Sequence, residues 1–308
     1  MATVSGQLSI RDTSLYVEVV GNGYPLALMH GGPGADHWSM SSFRGLADQF
    51  RLVFYDHRCN GRSDGSPVSS MTWENLTADA DALRQRLGFD RWAVLGHSFG
   101  GQVALEYALR YPDSLSHLIL VDTGGSEWWP RDNAPRLLAG RGYGRSTVEL
   151  VRRFYAGRIA PNEMLPAMLR FGRAYYYRGR GLRQLARAAL RGEWRTKVRP
   201  EALVQGGREL SDGWSVMDRL GEITVPTLVI AGRDDFLFPP EHQVALADGL
   251  ADGRLHIVER AGHNPHSERT AEVMAAVRDF VRPGATPAAV DARTAGPPRH
   301  RGAAPRRR

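Results

Sequence analysis

The chain of 308 residues holds one cysteine, Cys59. That excludes an internal disulfide framework and any metal site built from several cysteines. No apolar run approaches the roughly 18 residues that a membrane-spanning helix needs. The first dozen residues lack the basic stretch and apolar core of a secretory leader. These absences lead to the expectation of a cytoplasmic protein with no membrane partner and no bound metal. Acidic residues are scarce in one place. Residues 131–199 carry sixteen arginines and Lys197 against four acids, a net +13 in a chain whose total is +7. Residues 283–308 add a net +5, so the rest of the chain is acidic. A basic patch of this kind raises nucleic-acid binding. No nucleic-acid motif accompanies it, so the arginines read as solvated helix faces and no nucleic-acid partner is expected.

What is present suits one large α/β domain with an insertion: 42% of the residues are hydrophobic, enough for a sizeable core. Residues 8–10 and 15–19 read as an edge hairpin. Short apolar runs at 25–29, 52–55, 92–96, 117–121, 225–230 and 255–258 read as further strands, eight in all. Helical patterns at 38–50, 72–87, 99–109, 241–250 and 268–281 lie among them, with Thr72 as a helix cap and Gly88 past the end. Such alternation predicts an α/β fold with a mostly parallel eight-stranded sheet and helices on both faces. The alternation stops after Asp122. Residues 123–222 contain no convincing strand but four amphipathic stretches, 149–158, 164–177, 182–191 and 200–217. The expected organisation is a core of residues 1–122 and 223–282, an inserted helical cap of 123–222, and a disordered Arg- and Pro-rich tail of 283–308.

The stretch Gly96-His97-Ser98-Phe99-Gly100-Gly101 lies between a strand and a helix. It fits a nucleophile elbow, in which glycines clear the crowded flanks of a strained serine. A serine hydroxyl needs a base, and the base needs an orienting partner. Loops after two later strands supply them: Asp234-Asp235 after residue 230, and His263 after residue 258. His263 is expected as general base and Asp235 as its partner. Asp234 and Asp122 compete with Asp235, and His266 with His263. His30, His97, His256 and Cys59 read as structural. Acyl transfer also needs backbone donors for the developing oxyanion. The Phe99 amide supplies one, and the loop His30-Gly31-Gly32-Pro33-Gly34 is placed to supply the other.

These residues, with Asp56-His57-Arg58-Cys59-Asn60-Gly61-Arg62-Ser63 and residues 232–239, resemble α/β-hydrolases of the proline iminopeptidase type. The resemblance spans residues 5–282, outside detailed matching in the cap. It implies the α/β-hydrolase fold, Ser98 as nucleophile, Asp235 and His263 as its partners, and oxyanion donors at Gly32 and Phe99. It also implies release of an amino-terminal residue, proline in the type case, without a cofactor. Two departures stand out. Cys59 replaces the first glycine of the pattern Asp-x-Arg-Gly-x-Gly-x-Ser. The cap is short of the carboxylates that such enzymes use to hold the substrate's ammonium group; Glu193, Glu201, Glu209 and Asp212 are the candidates. Trp128, Trp129 and the run Tyr175-Tyr176-Tyr177 read as apolar pocket walls or as cap core. The leading expectation is a serine hydrolase that acts on a small molecule or short peptide, proline iminopeptidase-like. The alternatives are an esterase, lactonase or carbon–carbon bond hydrolase for a neutral or anionic substrate, and a ligand-binding receptor that keeps the fold.

Overall fold

The computed structural model describes residues 3–65, 67–179 and 197–281. The helix expected at 182–191, Glu193, Trp194 and the tail at 283–308 lie outside these residues. One sheet of eight strands organises the chain: β1 (Thr3–Ile10), β2 (Thr13–Val20), β3 (Tyr24–Met29), β4 (Phe50–Tyr55), β5 (Trp92–His97), β6 (Leu115–Val121), β7 (Thr227–Gly232) and β8 (Gly253–Val258). Their spatial order is β1-β2-β4-β3-β5-β6-β7-β8. The β1–β2 and β2–β4 pairs are antiparallel. All other neighbours run parallel.

Side chains alternate across the pleat, and the two faces bury separate sets. Ala27, Met29, Val53, Tyr55, Val94, Leu118 and Leu120 join one core, with α1 (Trp73–Arg86), α2 (Phe99–Arg110) and the later α7 (Pro240–Gly249). Leu26, Leu28, Leu52, Phe54, Leu95, Ile119 and Ile230 face the other. There they meet the 3₁₀ turns of His37–Leu46 and α9 (Thr270–Phe280). Both faces of the central strands are therefore dry, which is why these runs are continuously apolar in sequence. Thr72 caps α1 by accepting from the Asn75 amide at 3.2 Å, and Gly88 follows with φ +76°.

Between β6 and β7 the described residues form helices and connecting turns with no strand, apart from one isolated bridge, Ser126 to Ser215. They form α3 (Trp128–Gly140), α4 (Arg145–Tyr155), α5 (Met164–Phe171) and α6 (Pro200–Gln205). Their boundaries differ from the sequence pattern for physical reasons. α4 starts four residues early, behind Gly144, and ends before Gly157, whose φ of +62° stops a helix. The stretch 200–217 breaks at Gly213, with φ +67°. α3 was not expected, because Pro130 and Pro135 interrupt its pattern; Pro130 falls in the first turn, where no amide partner is lost. Phe154, Phe171 and Ala174 form a third core with Phe236 and Phe238 from the loop after β7. α8 (Pro265–Glu268) follows β8. Among the described residues no helix is long and apolar enough to cross a membrane.

Two contacts fix the loops at the carboxyl edge of the sheet. Arg58, buried at 2% side-chain exposure, pairs with Asp79 of α1 through Nε at 2.6 Å and Nη2 at 2.7 Å. Its Nη2 also reaches Asp12 at 2.8 Å. Cys59, next in the chain, has φ +63°, the left-handed conformation that the glycine of the related pattern would adopt without strain.

Three substitutions test this packing. A Cβ on Gly100 would sit 2.0 Å from the Met29 carbonyl oxygen, a backbone atom with no room to move. Gly100→Ala should cost about 3 kcal/mol or more in urea denaturation. Gly140→Ala, whose Cβ meets nothing within 4 Å, should change stability by less than about 1 kcal/mol. Asp79→Asn leaves the buried Arg58 cation with only the exposed Asp12 as a charged partner and should cost about 3 kcal/mol; a shift of the urea midpoint no larger than that of Gly140→Ala would contradict this.

Candidate active site

Ser98 lies at the junction of β5 and α2 with φ 53° and ψ −121°. Its amide donates to the Val121 carbonyl at 3.0 Å, and its carbonyl accepts from the Gly101 amide at 2.9 Å and the Thr123 hydroxyl at 2.6 Å. Small residues make this turn possible. A Cβ on Gly96 would fall 2.4 Å from the Gly100 carbonyl oxygen, and one on Gly31 would fall 3.0 Å from Ser98 Cβ.

His263 arrives on the loop after β8. Its Nε2 lies 2.9 Å from Ser98 Oγ and its Nδ1 lies 2.9 Å from Asp235 Oδ2. The arrangement fits one tautomer, with Nδ1–H donating to Asp235 and Nε2 free to accept the serine proton. Asp235, in the loop after β7, also accepts the Leu237 amide at 2.8 Å through Oδ1. Glu268 braces the histidine loop: its two oxygens accept the Gly262 amide at 2.7 Å and the Tyr177 amide at 2.8 Å.

The competing residues sit elsewhere. Asp234 uses its amide on the Ala261 carbonyl and its carbonyl on Arg141. His97 places Nε2 2.9 Å from the His263 carbonyl oxygen. Burial, with His266 and His263 close by, pushes its pKa well below the usual histidine value. His266 Nε2 lies 3.3 Å from the Ser39 carbonyl oxygen. His256 approaches Glu272 at 3.3 Å. His30 keeps Nδ1 3.0 Å from the Gly31 carbonyl oxygen and accepts the His57 amide on Nε2 at 3.1 Å, and burial lowers its pKa. It therefore stands neutral and stiffens the loop that carries Gly32. Gly32 has φ +63°, and the Gly34 amide donates to Asn60. Asp122 at the end of β6 comes close to the pair: one ligand atom each of Asp122, Asp235 and His263 lie within 4.8 Å of one another. Among the described residues this is the one acid and histidine group tight enough for a cation. The His263 and Asp235 atoms within it already bond each other.

Ser98, Phe99, Gly31, Gly32 and His263 open into a cavity of about 380 Å³. Its far wall comes from the helices after β6 and from the loop after β7: Phe154, Tyr155, Met164, Tyr175, Leu237 and Phe238. Tyr155 and Tyr175 pair through their hydroxyls at 2.6 Å. Burial pushes the Tyr175 phenol up to about 12 and the Tyr155 phenol well above its ordinary value, so both stay neutral near pH 7. One carboxylate stands among the described lining residues, Glu127. It lies 2.9 Å from Arg131 Nη1 and accepts the Gly213 amide. Arg131 further binds the Gly207 carbonyl at 3.1 Å and approaches Asp212 at 3.4 Å.

Several residues expected at the substrate do not reach it. Trp128 is 56% exposed to solvent. Trp129 is buried against His242, with ring centroids 3.6 Å apart. Glu201 and Glu209 are exposed, and Glu201 faces a separate surface hollow beside Arg153 and Arg208. From α3, Pro130 and Arg131 line the cavity and the two tryptophans do not. Glu127, Arg131 and Tyr155 were not singled out from the sequence. The available signal was an acid and an arginine four apart, six residues beyond the end of β6.

Comparison with known proteins agrees with this architecture. The sequence profile described as alpha/beta hydrolase fold matches residues 24–270. A 2-hydroxy-6-oxo-6-phenylhexa-2,4-dienoate hydrolase of Comamonas testosteroni is 29% identical over 284 residues, 89% of this chain and 93% of that relative. A proline iminopeptidase of Pestalotiopsis fici is 29% identical over 264 residues, 83% of this chain and 92% of that relative. The crystal structure of proline iminopeptidase from Mycobacterium smegmatis superposes with a TM-score of 0.72 at 28% identity, over 90% of this chain and 97% of that one. That profile spans well over half of the sequence, so the chain belongs to the alpha/beta hydrolase fold family and is a hydrolase that resembles the proline iminopeptidases.

Proposed function

We propose that the protein is a cofactor-independent serine hydrolase that cleaves esters or similarly activated acyl groups of small, neutral, largely apolar molecules. The observation that carries this reading is the Ser98, His263 and Asp235 chain, with both links at 2.9 Å, opening into an apolar cavity. The one carboxylate of its described lining is already neutralised by Arg131. Ser98 attacks the substrate carbonyl while His263 takes its proton, and Asp235 stabilises the imidazolium. The Gly32 and Phe99 amides receive the oxyanion; Phe99 begins α2, so its N–H has no partner within the helix. His263 then protonates the leaving group, and the same steps with water release the acid. The helices of residues 123–222 act as a cap that keeps the acyl group dry.

The second reading is an aminopeptidase, favoured by the likeness to proline iminopeptidases and by the place of Glu127 in the cavity wall. A buried ammonium group must be paired, and Glu127 would have to exchange Arg131 for it. The Comamonas relative makes carbon–carbon bond hydrolysis a variant of the leading reading, since the same triad would serve.

Ser98→Ala and His263→Ala should each abolish nearly all turnover of p-nitrophenyl butyrate, and the double variant should be little worse, because the groups act as a unit. Losses that add in log rate would contradict the triad. The substrate class is tested by comparing that ester with proline β-naphthylamide and its N-acetyl form. The ester should be preferred, and the acetylated amide should be at least as good as the free amine. Glu127→Gln should leave ester kcat/KM within about threefold. If the free amine is preferred, and Glu127→Gln lowers its kcat/KM by roughly 10- to 150-fold, the loss expected for one charge-assisted hydrogen bond, the aminopeptidase reading holds instead.

A further inference from the structure

β6 ends in a carboxyl that the mechanism above leaves idle. Asp122 is fully buried and its backbone is strained, with φ 41°. Its Oδ1 accepts the Gly232 amide at 2.7 Å, which ties it to the end of β7. Its Oδ2 is buried and has no hydrogen-bond partner among the described residues. Asp235, equally buried, has one oxygen on the Leu237 amide and the other on His263. With ligand atoms of Asp122, Asp235 and His263 all within 4.8 Å of one another, the two carboxyls share one dry space.

Two carboxylates that close in a water-poor interior do not both ionise near neutral pH. The donors decide which one keeps the proton. Asp235 receives an amide and an imidazole N–H, whereas Asp122 receives a single amide. Burial first, and the nearby charge of Asp235 second, hold the Asp122 carboxyl well above the usual carboxylate range. Glu268, the other charged group acting on it, is also an acid and pushes the same way. Tyr155 and Tyr175 face Asp235 as neutral phenols.

We propose that Asp122 and Asp235 form one acid unit behind His263 with a single negative charge between them: Asp122 holds the proton and donates it to Asp235, and it takes over the charge when Asp235 is removed. The proposal rests on the triad reading given above. Asp122 does not line the cavity, so it acts on the reaction through Asp235 and His263, as a positioning residue. Its donated hydrogen bond orients the Asp235 carboxylate and draws part of its charge away from the imidazole. The chain thus carries acids after two different strands, β6 and β7, both within 4.8 Å of one histidine, of which only Asp235 bonds it.

The test is the pH profile of kcat/KM for p-nitrophenyl butyrate in a set of variants. Asp122→Ala removes the donor to Asp235. It should lower kcat/KM about tenfold and move the acidic limb upward by about half a pH unit or more, because the imidazolium then meets a less delocalised charge. Asp122→Asn should restore most of both effects: its carbonyl still accepts from Gly232 and its amide donates to Asp235. Asp235→Ala should lose on the order of 10²-fold, with Asp122 as the remaining carboxylate. Adding Asp122→Asn to it should take the loss to the order of 10⁴-fold, the scale of a triad without its acid. The proposal is overturned if Asp122→Asn behaves like Asp122→Ala, or if the double variant is no worse than Asp235→Ala. If Asp235→Ala does not fold, the Ala and Asn pair at position 122 decides alone. Ser98→Ala separates the two levels: undiminished turnover there removes the triad reading and this proposal with it, whereas either overturning result with Ser98→Ala inactive removes the proposal only.

Discussion

The structure depends on how closely the backbone packs around Ser98. A serine at φ 53° and ψ −121° is strained by about 1–3 kcal/mol relative to an ordinary conformation. It persists because neighbouring backbone leaves no alternative. Gly100 lies against the Met29 carbonyl, Gly101 against Thr123, and Gly31 against Ser98 itself. The end of β3 and the residues just after β6 therefore meet the first turn of α2 where it carries only glycine, Gly100 against the Met29 backbone and Gly101 against the Thr123 side chain. The dry cores on both sheet faces hold those strands in place. Each fully buried Leu, Val or Phe contributes on the order of 1.5–3 kcal/mol, so strain at one residue is offset many times over.

The same packing arranges what surrounds Ser98. The stiff His30-to-Gly34 loop is held from three sides. His30 bonds the Gly31 carbonyl, Asn60 accepts the Gly34 amide, and the Arg199 amide reaches the Gly34 carbonyl at 2.7 Å. Arg199 also binds the Gly61 carbonyl at 2.9 Å and the Ser63 carbonyl at 2.6 Å. On the other side of the cavity, Glu268 joins the His263 loop to Tyr177. Tyr177 and Arg199 are thus each tied to a loop of the sheet edge, one beside His263 and the other beside Gly32. Such bracing suits a site whose donors must already be in place when charge develops on a substrate oxygen.

Much of this was legible in the sequence where a local rule had one solution. Short, mostly apolar runs alternating with helical patterns gave the parallel strands. Gly96, Ser98 and Gly100 between a strand and a helix gave the turn. Asp235 and His263 could be picked out because each follows a strand on a polar loop; their 2.9 Å contacts required the fold. The cavity wall was not legible. Which face of α3 turns inward is set by its packing in the fold, which leaves Trp128 exposed and puts Arg131 on the cavity. Glu201 and Glu209 were chosen by charge alone, and charge does not say which way a helix faces. Asp122 was weighed as a rival to Asp235. Sequence treats such residues as exclusive, whereas strands β6 and β7 are neighbours and bring both to one histidine.

The central claim is that Ser98 is a nucleophile activated by His263. It is tested most directly by exposing the folded protein to a fluorophosphonate and mapping the adduct by peptide mass spectrometry. The account predicts one adduct, on Ser98, formed in the wild type and nearly absent in His263→Ala. An adduct on another residue, or an unmodified Ser98 in folded wild-type protein, would contradict it.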